Sequence, residues 1–149
     1  MHKTKMFKAA LILYLCIVVW GVLLSREPSD STVIKFHSET IQFLLGNYPN
    51  WQSDATALHP EAMIQGDILN IILFIPIGLF TEAILTSKRG KFSLFSNAIC
   101  GLMCSLMIEV AQLFTKRGWF DMDDLLMNML GSIVGGTLYL LLKRLLLDR

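Results

Sequence analysis

The chain has 149 residues, of which 54% are hydrophobic and 17% charged, with a mean hydropathy of +0.55 and a formal net charge of +1. Charged content well below the roughly 25% of soluble domains, with the apolar residues blocked into long runs, argues against an ordinary water-soluble domain. The net charge says nothing about partners, and nucleic acid is not expected among them.

Four apolar runs, over 7–24, 68–85, 94–114 and 125–142, approach or reach the roughly 18 to 20 residues that cross a hydrocarbon core as helix. The fold class they predict is all-α: one small polytopic membrane domain over 1–149, with four transmembrane helices and a short extracytoplasmic amphipathic helix. Lysine and arginine set its orientation. Lys3, Lys5, Lys8, Lys88, Arg89, Lys91, Lys143, Arg144 and Arg149 fall on one side, nine of the thirteen basic residues. Arg26, Lys35, Lys116 and Arg117 fall on the other, so both termini are expected in the cytoplasm.

The first run has a basic start, but no small-x-small cleavage pattern follows it, so it reads as a retained helix, with Trp20 either an interfacial anchor or part of a helix packing face. Cys16, Cys100 and Cys104 all lie inside spans and read as small packing residues. The segment 25–66 is the longest polar stretch and is expected outside the cell. Within it, Val33, Phe36, Thr40, Phe43 and Leu44 recur at helical spacing until Gly46-Asn47, which predicts an amphipathic helix lying on the interface or capping the bundle. Tyr48, Pro49, Trp51 and His59-Pro60 mark irregular structure, and His37 and His59 read as solvated loop residues.

In the second run, Asp67, Asn70, Phe74 and Gly78 share one helix face. Pro76 should kink that helix and free a carbonyl that needs another partner. Glu82, near the cytoplasmic end, is explained by snorkelling or by pairing with Lys88. The third run carries Asn97 near its start and Glu109 and Gln112 near its exit. An ionised carboxylate at Glu109 demands a partner at that depth. On an ideal helix Asp121, Asp124, Asn128, Gly131 and Gly135 fall within an arc of about 80°, while Asp123 points away and reads as a solvated or helix-start charge. The glycines would let a neighbouring helix or an acyl chain approach the backbone.

This topology brings Asp67, Asn70, Glu109, Gln112, Asp121, Asp124 and Asn128 to one leaflet, with Arg117 in the turn above. A purely structural network would pair Glu109 with Arg117, and Asp124 with Asn70 or Asn128. A headgroup-sized site would use Arg117 to receive phosphate or carboxylate and the carboxylates to hold a cation or amine, or to serve as acid and base.

At these residues the chain resembles the VanZ-like membrane protein family. The match comprises Asp67-x-x-Asn70 with Phe74-x-Pro76-x-Gly78, then Glu109-x-x-Gln112, Arg117, Asp121, Asp124, Asn128, Gly131 and Gly135. It covers roughly 66–136, and this chain has Lys116 where family members often carry a small residue before the arginine. The resemblance implies a protein of the bacterial cytoplasmic membrane with a role in the cell envelope. The family's named member is associated with resistance to teicoplanin, a lipoglycopeptide that binds cell-wall precursors at the outer surface.

The function this suggests is binding or modification of an outer-leaflet lipid or cell-wall target. The partners would be membrane lipids and a lipoglycopeptide or a lipid-linked cell-wall precursor. An intramembrane enzyme acting on a lipid-linked phosphate or headgroup is the alternative, with Glu109, Asp121 and Asp124 as catalytic candidates and activated water or a carboxylate as nucleophile. A small lipid transporter is disfavoured, because four helices leave little room for alternating access. No cofactor is expected, although the carboxylates are compatible with a divalent cation.

Overall fold

The computed structural model describes residues 2–29, 33–47, 60–89 and 93–147. Helix α1 (His2–Val19) runs into one π-helical turn, Trp20–Leu24. A two-residue strand β1 (Ile34–Lys35) and the short helix α2 (Glu39–Leu44) follow. Then come α3 (Pro60–Arg89), α4 (Leu94–Thr115), strand β2 (Phe120–Asp121) and α5 (Met122–Leu147). The four long helices are each long and apolar enough to cross a membrane.

Burial follows the logic of a protein whose solvent is hydrocarbon. Ile12, Leu13, Phe95, Met107 and Leu145 face outward, whereas Glu82, Asn97, Ser105, Glu109, Asn128 and Ser132 are enclosed. Lipid tails are as apolar as leucine, so apolar side chains gain little by turning inward, while a polar group inside the bundle escapes lipid and meets partners. A compact apolar cluster of Val18, Phe74, Ile77 and Ile108 binds α1, α3 and α4 together.

Helix α5 seats most extensively on α3, and glycine makes that seat possible. A Cβ at Gly78 would strike the Ser132 carbonyl, one at Gly131 the Ile71 carbonyl, and one at Gly135 the Ile75 carbonyl. The two helices therefore meet backbone to backbone, as small-residue stripes in membranes allow. Helix α3 continues through Pro76. Near that proline, Leu73 O accepts a hydrogen bond from Tyr14 Oη of α1 at 2.8 Å, which ties α1 to α3.

Three sequence expectations change here. The segment around Val33–Leu44 is not one amphipathic helix: Ile34 and Lys35 pair in parallel with Phe120 and Asp121, and only Glu39–Leu44 is helical. The cause is local, since Ser38 has extended backbone angles and its hydroxyl accepts the Ile41 N–H, fixing the helix start there. Helix α3 begins eight residues before the apolar run, at Pro60, a residue pre-shaped for the first helical position. Glu82 neither snorkels nor needs Lys88. It is fully enclosed, accepting from Thr86 Oγ1 at 2.6 Å and from Asn97 Nδ2 at 3.3 Å, while Asn97 Oδ1 accepts from Ser132 Oγ at 2.7 Å. Tyr48, Pro49, Trp51 and His59 lie outside the described residues.

Candidate functional site: a polar cavity at the α4–α5 turn

The turn between α4 and α5 concentrates the polar groups. Lys116 ends α4 in the left-handed region (φ 56°), which reverses the chain so that residues 117–121 fold back over the helix end. Glu109, 1% exposed and about two turns below Lys116, then accepts the backbone N–H of Asp121 on Oε2 at 3.0 Å. With its amide turned so that each end meets a complementary group, Gln112 donates to Glu109 Oε1 at 3.1 Å and accepts from an Arg26 Nη at 3.1 Å.

Two neighbouring helices complete the wall. Asn70 Nδ2 of α3 donates to Asp124 Oδ1 of α5 at 2.6 Å, and Asn128 Nδ2 donates to Ser105 Oγ of α4 at 2.9 Å. Between them lies a cavity of about 370 Å³ whose wall includes Arg26, Asn70, Glu109, Gln112, Asp124 and Asn128. The remainder is apolar, with Val22, Leu69, Leu73 and Phe74 among it. Arg26 and Asp124 also border an adjoining cleft of about 260 Å³ with Gly118, Trp119 and Asp121.

The structure thus brings together Asn70, Glu109, Gln112, Asp124 and Asn128 from the sequence-predicted set, and sets Asp67, Asp121 and Arg117 around them. Asp67 accepts from Thr40 Oγ1 at 2.7 Å. Asp121 belongs to β2, not to the helical stripe of α5, and its Oδ1 accepts the Asp123 N–H at 2.9 Å. Burial raises the Asp121 carboxyl from its ordinary 3.8 to about 6, with Asp124 and Asp123 adding to the rise, while the Asp123 N–H and Lys35 oppose it. Arg117 is not on the cavity wall: its Nη1 donates to the carbonyls of Leu24 at 3.1 Å and Arg26 at 2.8 Å. It closes the open end of the π-helical turn and holds the backbone that carries Arg26. The expected Glu109 to Arg117 pairing is replaced by a chain through Gln112 to Arg26.

Residues that sequence reasoning passed over do much of the assembly. Asp123, read as a solvated or a helix-start charge, does stand in the first turn of α5 but is buried, and accepts from Ser38 Oγ and from the Glu39 and Thr40 N–H groups. Lys35 is 4% exposed, binds Glu39 Oε1 at 2.7 Å, stands 4.0 Å from Asp121 Oδ2 and lies 5.4 Å from the centre of the Trp119 ring. Segment 33–44 is therefore latched onto the end of the bundle by charge. The only sequence signal for this was a lone lysine in an otherwise acid-flanked segment. Among the described residues no group of three or more His, Cys, Asp or Glu side chains is placed to hold a metal ion.

Residues 11–143 match the family model described as VanZ/LLP1. The protein named Protein VanZ from Enterococcus faecium is 24% identical over 132 residues, covering 89% of this chain and 72% of that protein. No solved structure matches the chain significantly. With a family model spanning α1 to the last turns of α5, and with the polar positions that carried the resemblance gathered at one end of a four-helix bundle, this chain belongs to the VanZ/LLP1 family.

Proposed function

We propose that this protein is a cell-envelope membrane protein that binds the polar headgroup of an outer-leaflet lipid or lipid-linked cell-wall target, and that it contributes to teicoplanin resistance by doing so. Both termini lie in the cytoplasm in this reading, which turns the α4–α5 end outward. One observation carries it: Val22 of the π-helical turn, Arg26 just after it, and side chains of α3, α4 and α5 line a single cavity that is polar at its charged groups and apolar over the rest of its wall, the make-up of an amphiphile site. The family membership and the VanZ relative support the resistance role.

Binding is favoured over catalysis because, among the described residues, the wall carries no serine, cysteine or histidine to act as nucleophile. Expression in a teicoplanin-susceptible bacterium tests the proposal. Wild-type chain should raise the inhibitory concentration of teicoplanin, and Asp124→Asn or Glu109→Gln should reverse that gain at equal protein level in the membrane. Full protection from both variants would sink the role assigned to the cavity.

A further inference from the structure

The hydrogen-bonding capacity of the cavity wall is not balanced. Both oxygens of Glu109 have partners within the protein, from Asp121 and Gln112. Asp124 Oδ1 has Asn70. Asn128 is different: it is 4% exposed, its Nδ2 is engaged by Ser105, and its Oδ1 is buried without any partner. A buried carbonyl oxygen left unpaired costs about 1–3 kcal/mol, so native proteins pair such groups with the protein, an ordered water or a ligand. Asn128 and Asp124 share the cavity wall with Arg26, which comes from a different element. The wall thus offers acceptors, one charged and one neutral, together with one guanidinium, against two carboxylates in all.

We infer that the cavity takes a headgroup carrying a primary ammonium beside a phosphate, as phosphoethanolamine does. This rests on the lipid-headgroup reading above and names the chemistry of the same site. The ammonium donates to Asn128 Oδ1 and to the Asp124 carboxylate, and the phosphate meets Arg26. A quaternary ammonium fills the same space but has no N–H to give, so it leaves the Asn128 oxygen unpaired. An anionic head without an amine leaves Asn128 Oδ1 unpaired and brings no ammonium to the Asp124 carboxylate. The glycerol and the first acyl carbons lie against Val22, Leu69 and Leu73, which the volume of about 370 Å³ accommodates.

The test is lipid retention by the full chain in detergent micelles, read by native mass spectrometry. Dioleoyl phosphatidylethanolamine, phosphatidylcholine and phosphatidylglycerol are offered in equal amounts. The expected result is at least a tenfold preference for the ethanolamine lipid, about 1.4 kcal/mol. That preference falls toward unity in Asn128→Leu and Asp124→Asn, and it persists in Asn128→Asp, which keeps an acceptor for the amine. Soluble glycerophosphoethanolamine, offered alone, distinguishes the sources: its retention shows that the head suffices, and retention of the lipid only shows that the acyl chains are required. Equal retention of ethanolamine and choline lipids by the wild type overturns the ammonium assignment while leaving a headgroup site in place. Retention of none of the three lipids overturns the headgroup reading itself. A preference unchanged in both Asn128→Leu and Asp124→Asn overturns the assignment of these residues, since a variant that had merely misfolded would retain no preference.

Discussion

Asp123 accepts the backbone N–H of Glu39 at 2.8 Å across 84 residues of sequence. The same carboxylate takes the Ser38 hydroxyl and the Thr40 N–H, so one side chain in the first turn of α5 serves as the anionic cap for the start of α2. Carboxylates at helix N-termini are stabilised by free N–H groups and by the helix dipole. Here the benefit is tertiary, since it fixes the segment after α1 to the end of the bundle beside the cavity.

Asp123→Ala should therefore release α2 without unfolding the four long helices. Hydrogen bonds to a charged group contribute roughly 1.5–3 kcal/mol each, and a large part of that should be lost locally. Hydrogen exchange at 38–44 should speed up by one to two orders of magnitude, with exchange in the middle of α3 unchanged. Uniform acceleration across all helices would mean that Asp123 supports the whole bundle.

How much of this was legible in the sequence differs from residue to residue. Helix α4 was readable almost to its ends, because its apolar run is bounded by Ser93 and by the turn at Lys116 and contains no proline. Helical spacing put Asp124, Gly131 and Gly135 on one stripe, but it left Asp124 to pair with Asn70 or Asn128 and the glycines to meet a helix or an acyl chain. The structure selects Asn70 and helix α3. Asp123 was not, because spacing places it on the far side of α5 from the stripe and says nothing of what covers that side. Lys35 and Arg26 were counted only as charges for orientation. Lys35 and Glu39 are four residues apart, but the links from Lys35 to Asp121 and from Arg26 to Gln112 span more than 80 residues, and no local pattern gives those. Asp121 was placed on a helix because its angle suited the stripe, but the left-handed residue Lys116 sends the chain into a short parallel pairing before α5 begins. Glu82 was read by its distance from the helix end, whereas its enclosure depends on Asn97 and Ser132 from two other helices.

The raised carboxyl of Asp121 gives a pH dependence with a definite sign. Because its folded-state value, about 6, lies above its ordinary 3.8, the folded protein holds more protons than the unfolded chain between those values. Its contribution to stability is then fully present below about pH 4 and is lost as pH rises through about 6. Unfolding of the wild type and of Asp121→Asn, compared between pH 4 and 7.5, should show a steeper downward slope in the wild type than in the variant. Asn keeps an acceptor for the Asp123 N–H, so the variant should be the more stable of the two at pH 7.5. A parallel pair of curves would remove Asp121 as the titrating group.

Glycine substitutions should separate close backbone contact from open space. At Gly78 and Gly135 an added Cβ meets carbonyl groups of the facing helix, which cannot rotate away as a side chain could. Overpacking of this kind costs typically about 1–3 kcal/mol, so Gly78→Ala and Gly135→Ala should lower the melting temperature in detergent. At Gly66, also helical, nothing lies within 4 Å of an added Cβ. Gly66→Ala should be neutral or stabilise by about 0.5–1 kcal/mol through the lower backbone entropy of alanine. Equal losses at all three positions would show that an added methyl is destabilising in these helices whatever it meets, and would remove the α3–α5 seat as the explanation.

Orientation decides which leaflet the cavity serves, and it can be read by thiol chemistry in a background where Cys16, Cys100 and Cys104 are replaced by alanine. Gly118 is a poor reporter because an added side chain would press on the Gln112 amide, at 2.7 Å from a built Cβ. Thr115, exposed at the end of α4, and Ser87, exposed near the opposite end of the bundle on α3, are better placed. The sequence assigns nine of the thirteen basic residues to the Ser87 side, and on the positive-inside rule that predicts Thr115 outside the cell. In intact cells Thr115→Cys should react with a membrane-impermeant maleimide, and Ser87→Cys should react only after permeabilisation. The reverse pattern would place Arg26, Asp124 and Asn128 in the inner leaflet. The cavity would then face cytoplasmic lipid, and a direct role against a drug acting at the outer surface would fall with the orientation.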